Sequence, residues 1–355
     1  MTRGETALPR ERGRLVLRIA RPPLSRRLSR RALTVLALAG AVALAAMGVT
    51  LFIGEIPLHP AEVIGAILNQ ADPYPELVIR TLRLPRLLAA VLVGAALGMS
   101  GAIFQGITGN PLVAPDIIGV NAGASVAVVA VVVIGSGAPP GIFAAAGALT
   151  AALTVYLLSL GRDNCPFRIV LIGIGMNSLL GAAITYLLTR ASLDQVLTVN
   201  HYLLGDVSDA TWPTVRDAAV SSIPLMAIGV ALTTHLRVLQ LGDQVAVGVG
   251  ARPGVARLGL IVVGVGLAAA AVTAAGPVGF VAFIAPHITR ALTRNPSAAL
   301  LPVSAAVGGA LVVVADYAAQ RLFEPIHLPV GVFTVIIAGP YFMLLLARSA
   351  RSALL

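Results

Sequence analysis

The sequence predicts an all-α polytopic membrane protein. Three observations carry that expectation. Hydrophobic residues make up 57% of the chain and charged residues only 11%, with a mean hydropathy of +0.92; a soluble domain carries about a quarter charged residues. Apolar runs of helix length recur from Arg31 to the C-terminus, and about 20 apolar residues cross the roughly 30 Å of hydrocarbon in a bilayer. The alternating pattern of an outer-membrane barrel is absent from the sequence, which leaves helices as the spanning structure.

The elements follow in order. Residues 1–31 hold ten arginines. At their end SRRALTVLALAG resembles a twin-arginine export signal, but the basic stretch is long and many apolar runs follow, so cleavage and release would make no sense of them. Residues 1–31 are therefore read as a basic cytoplasmic arm without fixed structure, and 32–355 as one transmembrane domain. Ten spans are expected, near 33–53, 86–107, 115–134, 141–160, 168–190, 216–236, 256–275, 278–291, 299–320 and 330–348. The eighth is short, which fits either a tilt or a place inside the bundle. The segment 54–85 should carry a short amphipathic helix near Pro60–Asn69, with Pro60 at its first position. A second half-buried helix is expected in 191–213, within SLDQVLTVNHYLLGDVSDATW. Gly94 with Gly98, and Gly119 with Gly123, have the small-xxx-small spacing that lets helix backbones approach closely in lipid.

All 25 basic residues are Arg, and the net charge is +10. With the N-terminus inside, nineteen arginines fall on the cytoplasmic side. Six fall outside: Arg80, Arg83, Arg86, Arg190, Arg216 and Arg321. That bias places both termini in the cytoplasm, so the basic balance reads as topology rather than as a nucleic-acid surface. The single cysteine, Cys165, excludes an internal disulfide and any thiolate cluster.

Several chemistries are excluded. The chain has no G-x-x-x-x-G-K-[ST] loop and no Lys at all, so it is not itself a P-loop ATPase. The stretch GVGARPG (248–254) has the glycines of a phosphate loop but not its lysine. The five histidines, at 59, 201, 235, 287 and 327, are scattered, and no metal site or catalytic residue is assigned. Asp316 and His287 lie within expected spans but near their ends. A proton-coupled carrier would need ionisable groups at mid-depth; their absence from the sequence argues for an external energy source.

The longest polar segment on the expected cytoplasmic side is HLRVLQLGDQVAVGVGARPGVAR (235–257). LQLGDQVAVGVGA can form a short helix with Asp243 as N-cap and Gly250 just past its end. Val245, Val247 and Val249 would then sit on an exposed surface. From the residues alone, this is either a connecting loop or a docking site for a soluble partner.

The segment RLPRLLAAVLVGAALGMSGAIFQGITGNPLVAPDIIGVNAGAS (83–125) resembles the signature of the FecCD family. These are permease subunits of binding-protein-dependent ABC importers for iron–siderophores, haem and cobalamin. GPVGFVAFIAPHITRALT (276–293), LLPVSAAVGGALVVVADYAAQRLF (300–323) and LPVGVFTVIIAGPYFMLLL (328–346) follow in the family's order. FQGITGNPLVAPDIIG and ADYAAQRLF look most like the second permease subunit of ferric enterobactin-type systems.

The resemblance implies a type II importer permease fold in the cytoplasmic (inner) membrane. Its function would be passage of a ferric siderophore driven by ATP hydrolysis on partner subunits; haem or cobalamin are the alternative cargoes, and a proton-coupled secondary transporter is the rival mechanism. No cofactor is implied for this chain, since ATP and Mg would sit on the partner ATPase. The implied partners are a second permease subunit, in a homo- or heterodimer, two cytoplasmic ATPases, an extracytoplasmic siderophore-binding protein and the lipid bilayer, with no nucleic acid. In the family L-x-L-G-D-x-x-A-x-x-x-G is the coupling helix, here Leu239, Leu241, Gly242, Asp243, Ala246 and Gly250 within a region of about 239–252. The resemblance also implies docking of the binding protein by Arg83 and Arg86, and by Arg321, which lies one position later than the family's third arginine. Asn177 and Ser178 would line the translocation path.

Overall fold

A computed structural model describes residues 14–19, 24–53, 56, 58–68, 70, 72–135, 140–159, 166–294, 300–323 and 327–352. Residues 1–13 of the basic arm, with Glu55, Arg162, Cys165 and Glu324, lie outside the described residues.

Helices occupy every stretch expected to span. They are α1 (Arg30–Phe52), α4 (Leu84–Thr108), α5 (Val120–Ile134), α6 (Pro140–Ser159), α7 (Pro166–Leu188), α9 (Trp212–Ala231), α12 (Pro253–Ala275), α13 (Val281–Thr293), α14 (Leu301–Arg321) and α15 (Val330–Ser352). Seven described helices are long and apolar enough to cross a membrane individually: α1, the continuous helix Pro73–Thr108 that ends in α4, α6, α7, α9, α12 and α14. α5 and the apolar part of α15 are shorter. The short α13 resolves in favour of a place inside the bundle, because Val281 to Pro286 are all buried.

Shorter elements connect the long ones. α2 (Pro60–Ile67) begins at Pro60 as expected, and the His59 N–H donates to the Glu62 carboxylate at 2.7 Å. α3 (Pro73–Glu76) runs through a π-helical stretch, Leu77–Arg83, straight into α4. The expected start of that span at residue 86 is therefore too late. α8 (Leu193–Leu204) opens on a Ser192–Gln195 capping box, in which two orphan donors are satisfied reciprocally. α10 (Thr233–Leu239) and α11 (Asp243–Gly248) lie between α9 and α12.

Composition alone suggests no fixed structure in the basic arm. Over Arg14–Ile19 and Leu24–Ser29 the chain instead forms a hairpin, β1 and β2, with Arg14 opposite Ser29 and Ile19 opposite Leu24. RLVLRI supplies the branched and alternating residues that suit a strand.

α4 is the central helix. Its buried residues run almost without interruption from Leu87 to Gly106, and α14, α12, α13 and α9 pack around it. In lipid no hydrophobic force draws helices together, so close backbone packing does. A Cβ on Gly94 would overlap the Gly308 carbonyl of α14, and one on Gly98 would overlap that of Ser304. Gly123 of α5 meets Gly147 of α6 in the same way. Gly119, expected to belong to a similar contact, instead turns the chain at φ 85° between the 3-10 turn Pro115–Ile118 and α5, a conformation glycine adopts at little cost.

Candidate functional site

The described residues present two polar ends and, between them, exposed apolar helix faces, of which that of α7 is the least covered. At one end α10, α11 and the start of α12 form a compact loop. Gly242 turns at φ 93° and is the N-cap of α11; Asp243, expected in that position, is the first helical residue instead. Its carboxylate accepts from Arg257 Nη2 at 2.9 and 3.2 Å. Ala246 is fully buried and Leu239 is 9% exposed, so these two anchor the loop on the bundle.

Gly250, at φ 81°, follows the helix. Its N–H donates to Val247 and that of Ala251 to Ala246, both at 2.9 Å. This pair of bonds is a Schellman closure. Leu241, Val245, Val247 and Val249 are all exposed, the two helical valines on opposite flanks, while Gln244 and Gly248 stand opposite buried Ala246. The segment therefore divides into inward anchors, two glycine turns, an ion pair and exposed apolar side chains. An exposed apolar patch framed by polar groups marks an interaction surface.

The opposite end carries the arginines of the R-L-P-R motif, and both are bonded within the chain. Arg83 donates to the Leu51 and Ile56 carbonyls, each at 2.6 Å. Leu51 lies in the last turn of α1, where carbonyls lack helical partners. Arg86 donates from Nη2 to Asp316 Oδ1 at 2.8 Å and from Nε to Oδ2 at 3.0 Å. Asp316 is 1% exposed and also accepts from Gln320 at 2.9 Å. Both guanidinia thus have partners within the chain, and both side chains remain partly exposed. Asp316 finds its counter-ion on α4 rather than in water or at a helix terminus. A cavity of about 210 Å³ lies here, lined by Thr50, Arg83, Arg86, Ser208 and Gln320 among others. Arg321 is half-buried in the last turn of α14.

On α7, Leu171, Ile174, Leu179 and Tyr186 are exposed. Ser178 lies on this exposed side and donates back to Ile174 at 3.1 Å. Asn177 is turned the other way. Its amide donates to the Asp116 and Ile117 carbonyls at 3.0 and 3.2 Å, tying α7 to the 3-10 turn. Of the two residues expected on the path, Ser178 alone faces out.

Sequence reasoning missed three side-chain links: Arg86–Asp316, Arg257–Asp243, and Arg290, which donates to Gln105 at 2.6 Å. The signal for the first was present, since Asp316 is the sole carboxylate of its span and Arg86 sits in an otherwise apolar helix start.

A bundle of apolar helices packed on one central helix and polar at both ends fits a protein that crosses the membrane many times. The chain belongs to the FecCD transport family, whose profile matches residues 34–348. It is 38% identical over 300 residues to FepG, the ferric enterobactin transport system permease protein of Escherichia coli K12, covering 84% of this chain and 91% of that protein. It is 37% identical over 310 residues to CbrC, the achromobactin transport system permease protein of Dickeya dadantii, covering 86% and 88%. A solved metal-chelate type ABC transporter in an inward-facing conformation matches with a TM-score of 0.79 at 26% identity, over 89% of this chain and 99% of that one. The chain is an ABC-importer permease and a multi-pass protein of the inner membrane.

Proposed function

We propose that this chain is the transmembrane subunit through which a ferric siderophore enters the cytoplasm, driven by ATP hydrolysis on separate ATPase subunits. The observation that carries the reading is the α11 loop. Leu241, Val245, Val247 and Val249 are exposed on and beside a short helix fixed by buried Ala246 and by the Asp243–Arg257 pair. A fixed helix with exposed apolar side chains at the end of a membrane bundle suits a cleft on a soluble protein. The cargo class follows from the relatives, whose names include ferric enterobactin and achromobactin.

In this reading residues 239–252 couple to the ATPase, and ATP and Mg stay on that partner, with no cofactor on this chain. The exposed flank of α7, with Ser178, meets a second permease subunit and lines the path between them. The end bearing α2, α3 and α8 receives the siderophore-binding protein. Arg83, Arg86 and Arg321 lie at that end and are its docking arginines in this reading. Residues 1–31 form a basic cytoplasmic arm.

Uptake in a strain lacking this gene tests the reading. Cells are offered ⁵⁵Fe-loaded enterobactin, a ferric hydroxamate, ferric citrate and haemin. Uptake of at least one ferric siderophore should vanish, return with the wild-type gene, and fail to return with Val247→Asp. Loss of haemin uptake alone would transfer the assignment to the haem class. Uptake that survives depletion of ATP but collapses with a protonophore would support the secondary carrier instead.

A further inference from the structure

α12 runs from one polar end of the molecule to the other, and a side chain ties it at each end. At the near end, Arg257 holds the carboxylate of Asp243, the first residue of α11, at 2.9 Å. At the far end, the Tyr202 hydroxyl of α8 donates to the Val272 carbonyl at 3.0 Å. The N–H of Asp206, just past α8, donates to the Ala275 carbonyl at 2.8 Å. That acceptor is one of the last carbonyls of α12, which have no helical partner. Burial pushes the Tyr202 phenol's pKa up, so its proton stays in place near neutral pH. The same corner is joined to α15, because the Gly331 N–H donates to Gly205 at 2.8 Å.

Between the two ties α12 has no slack. Arg257 and Val272 are fifteen residues apart, which is about 22 Å of helix. Leu260, Val263, Leu267, Ala268 and Ala271 are buried along that length. Ser100 of α4 donates to the Gly264 carbonyl at 2.6 Å midway. A close-packed interior transmits strain rather than absorbing it, and a helix keeps its length under load because each turn is bonded to the next.

We propose that α12 is the strut that carries movement between the α11 loop and the outer segment around α8, with Arg257 and Tyr202 as the positioning residues at its two ends. The inference rests on the reading that α11 seats an ATPase, and it adds the route by which that site and the binding-protein end sense one another. Arg257 acts through Asp243, whose carboxylate it holds. Tyr202 acts through Val272. Both side-chain links can be cut without shortening the helix, and the Asp206–Ala275 backbone bond stays in both variants.

The test uses the whole complex of permeases, ATPases and binding protein in proteoliposomes. The binding protein is loaded with the ferric siderophore that the uptake panel selects. Arg257→Gln, Tyr202→Phe and the double variant are compared for retained ATPase, basal hydrolysis, hydrolysis stimulated by the loaded binding protein, and cargo moved per ATP. Tyr202→Phe should keep its ATPase and its basal rate but lose stimulation by about 5-fold or more; Arg257→Gln, which also frees Asp243 of the docking helix, should lose stimulation at least as far when rates are normalised to the ATPase it retains. The double variant should lose no more than the worse single, because two cuts in one series link do not multiply. The swapped pair Asp243→Arg with Arg257→Asp should recover part of the stimulation lost in Arg257→Gln. Wild-type stimulation in both singles would overturn the proposal, as would a double variant whose loss is the product of the two. If the wild-type chain retained no ATPase, the docking reading itself would fall, and the strut with it.

Discussion

At the Arg86 guanidinium, three hydrogen bonds converge on one carboxylate that is almost entirely shut off from solvent. Attraction between such groups is strong, but so is the cost of removing each from water. The pair therefore matters most when one half is missing. Arg86→Gln leaves a buried carboxylate without its cation and should cost about 3–5 kcal/mol, read as earlier thermal unfolding of the purified protein in detergent. Adding Asp316→Asn should return much of that loss, since the two effects are not additive for groups in contact. If the double variant is instead as unstable as the sum of the singles, the pair is not the reason for the loss. Both residues were visible as ionisable groups near span ends. Their pairing was not, because nothing local in a sequence links positions 86 and 316.

Among the elements, those legible in the sequence are the ones lipid dictates. A helix that crosses hydrocarbon needs a long apolar run, and such runs gave α1, α4, α6, α7, α9, α12 and α14 their places. The faces by which they pack were harder to read, because helices that are apolar all round carry no stripe. Small residues supply the remaining clue, and it worked for Gly94 and Gly98 but misled for Gly119, whose task is a turn. The π-helical stretch Leu77–Arg83 left no mark, since its residues are ordinary helix formers. The six residues of α11 were found by their glycines and aspartate rather than by periodicity, which six residues are too few to display.

The α4–α14 contact allows a prediction at this scale. Gly94→Val places a branched side chain against the Gly308 backbone, with no flexible atom to yield. Overpacking of this kind costs about 1–3 kcal/mol. Thermal unfolding should come earlier and uptake should fall, whereas Gly40→Val, where a Cβ meets nothing, should leave both unchanged. Equal effects at the two positions would contradict a packing role for Gly94.

For the whole molecule, what the single chain leaves uncovered is informative. α7 is apolar and long enough to span, yet Leu171, Ile174, Leu179 and Tyr186 remain exposed on it. A second permease seated on this flank would cover them. In a Cys165→Ser background, cysteines placed at Leu179 and Tyr186 should resist a membrane-permeant maleimide in native membranes and react once the permeases are separated in denaturing detergent. Equal labelling in both states would mean that no subunit covers this flank of α7. The site was legible as a motif but not as a mechanism: Leu239 to Gly250 could be listed from sequence, whereas the division into anchors, turns and exposed side chains required the fold.

The Arg86–Asp316 pair also has a history within each molecule. The chain is threaded into the membrane from its N-terminus, so α4 arrives first and its counter-ion 230 residues later. At a synthesis rate of about 5–20 residues per second, that interval is roughly 10–50 s. During it, Arg86 lacks the carboxylate that it meets in the finished fold, and this end of α4 has no such tie to α14. A nascent chain that stalls before α14 never acquires its counter-charge. The pair thus marks completion: it closes only when one of the last spans is in place.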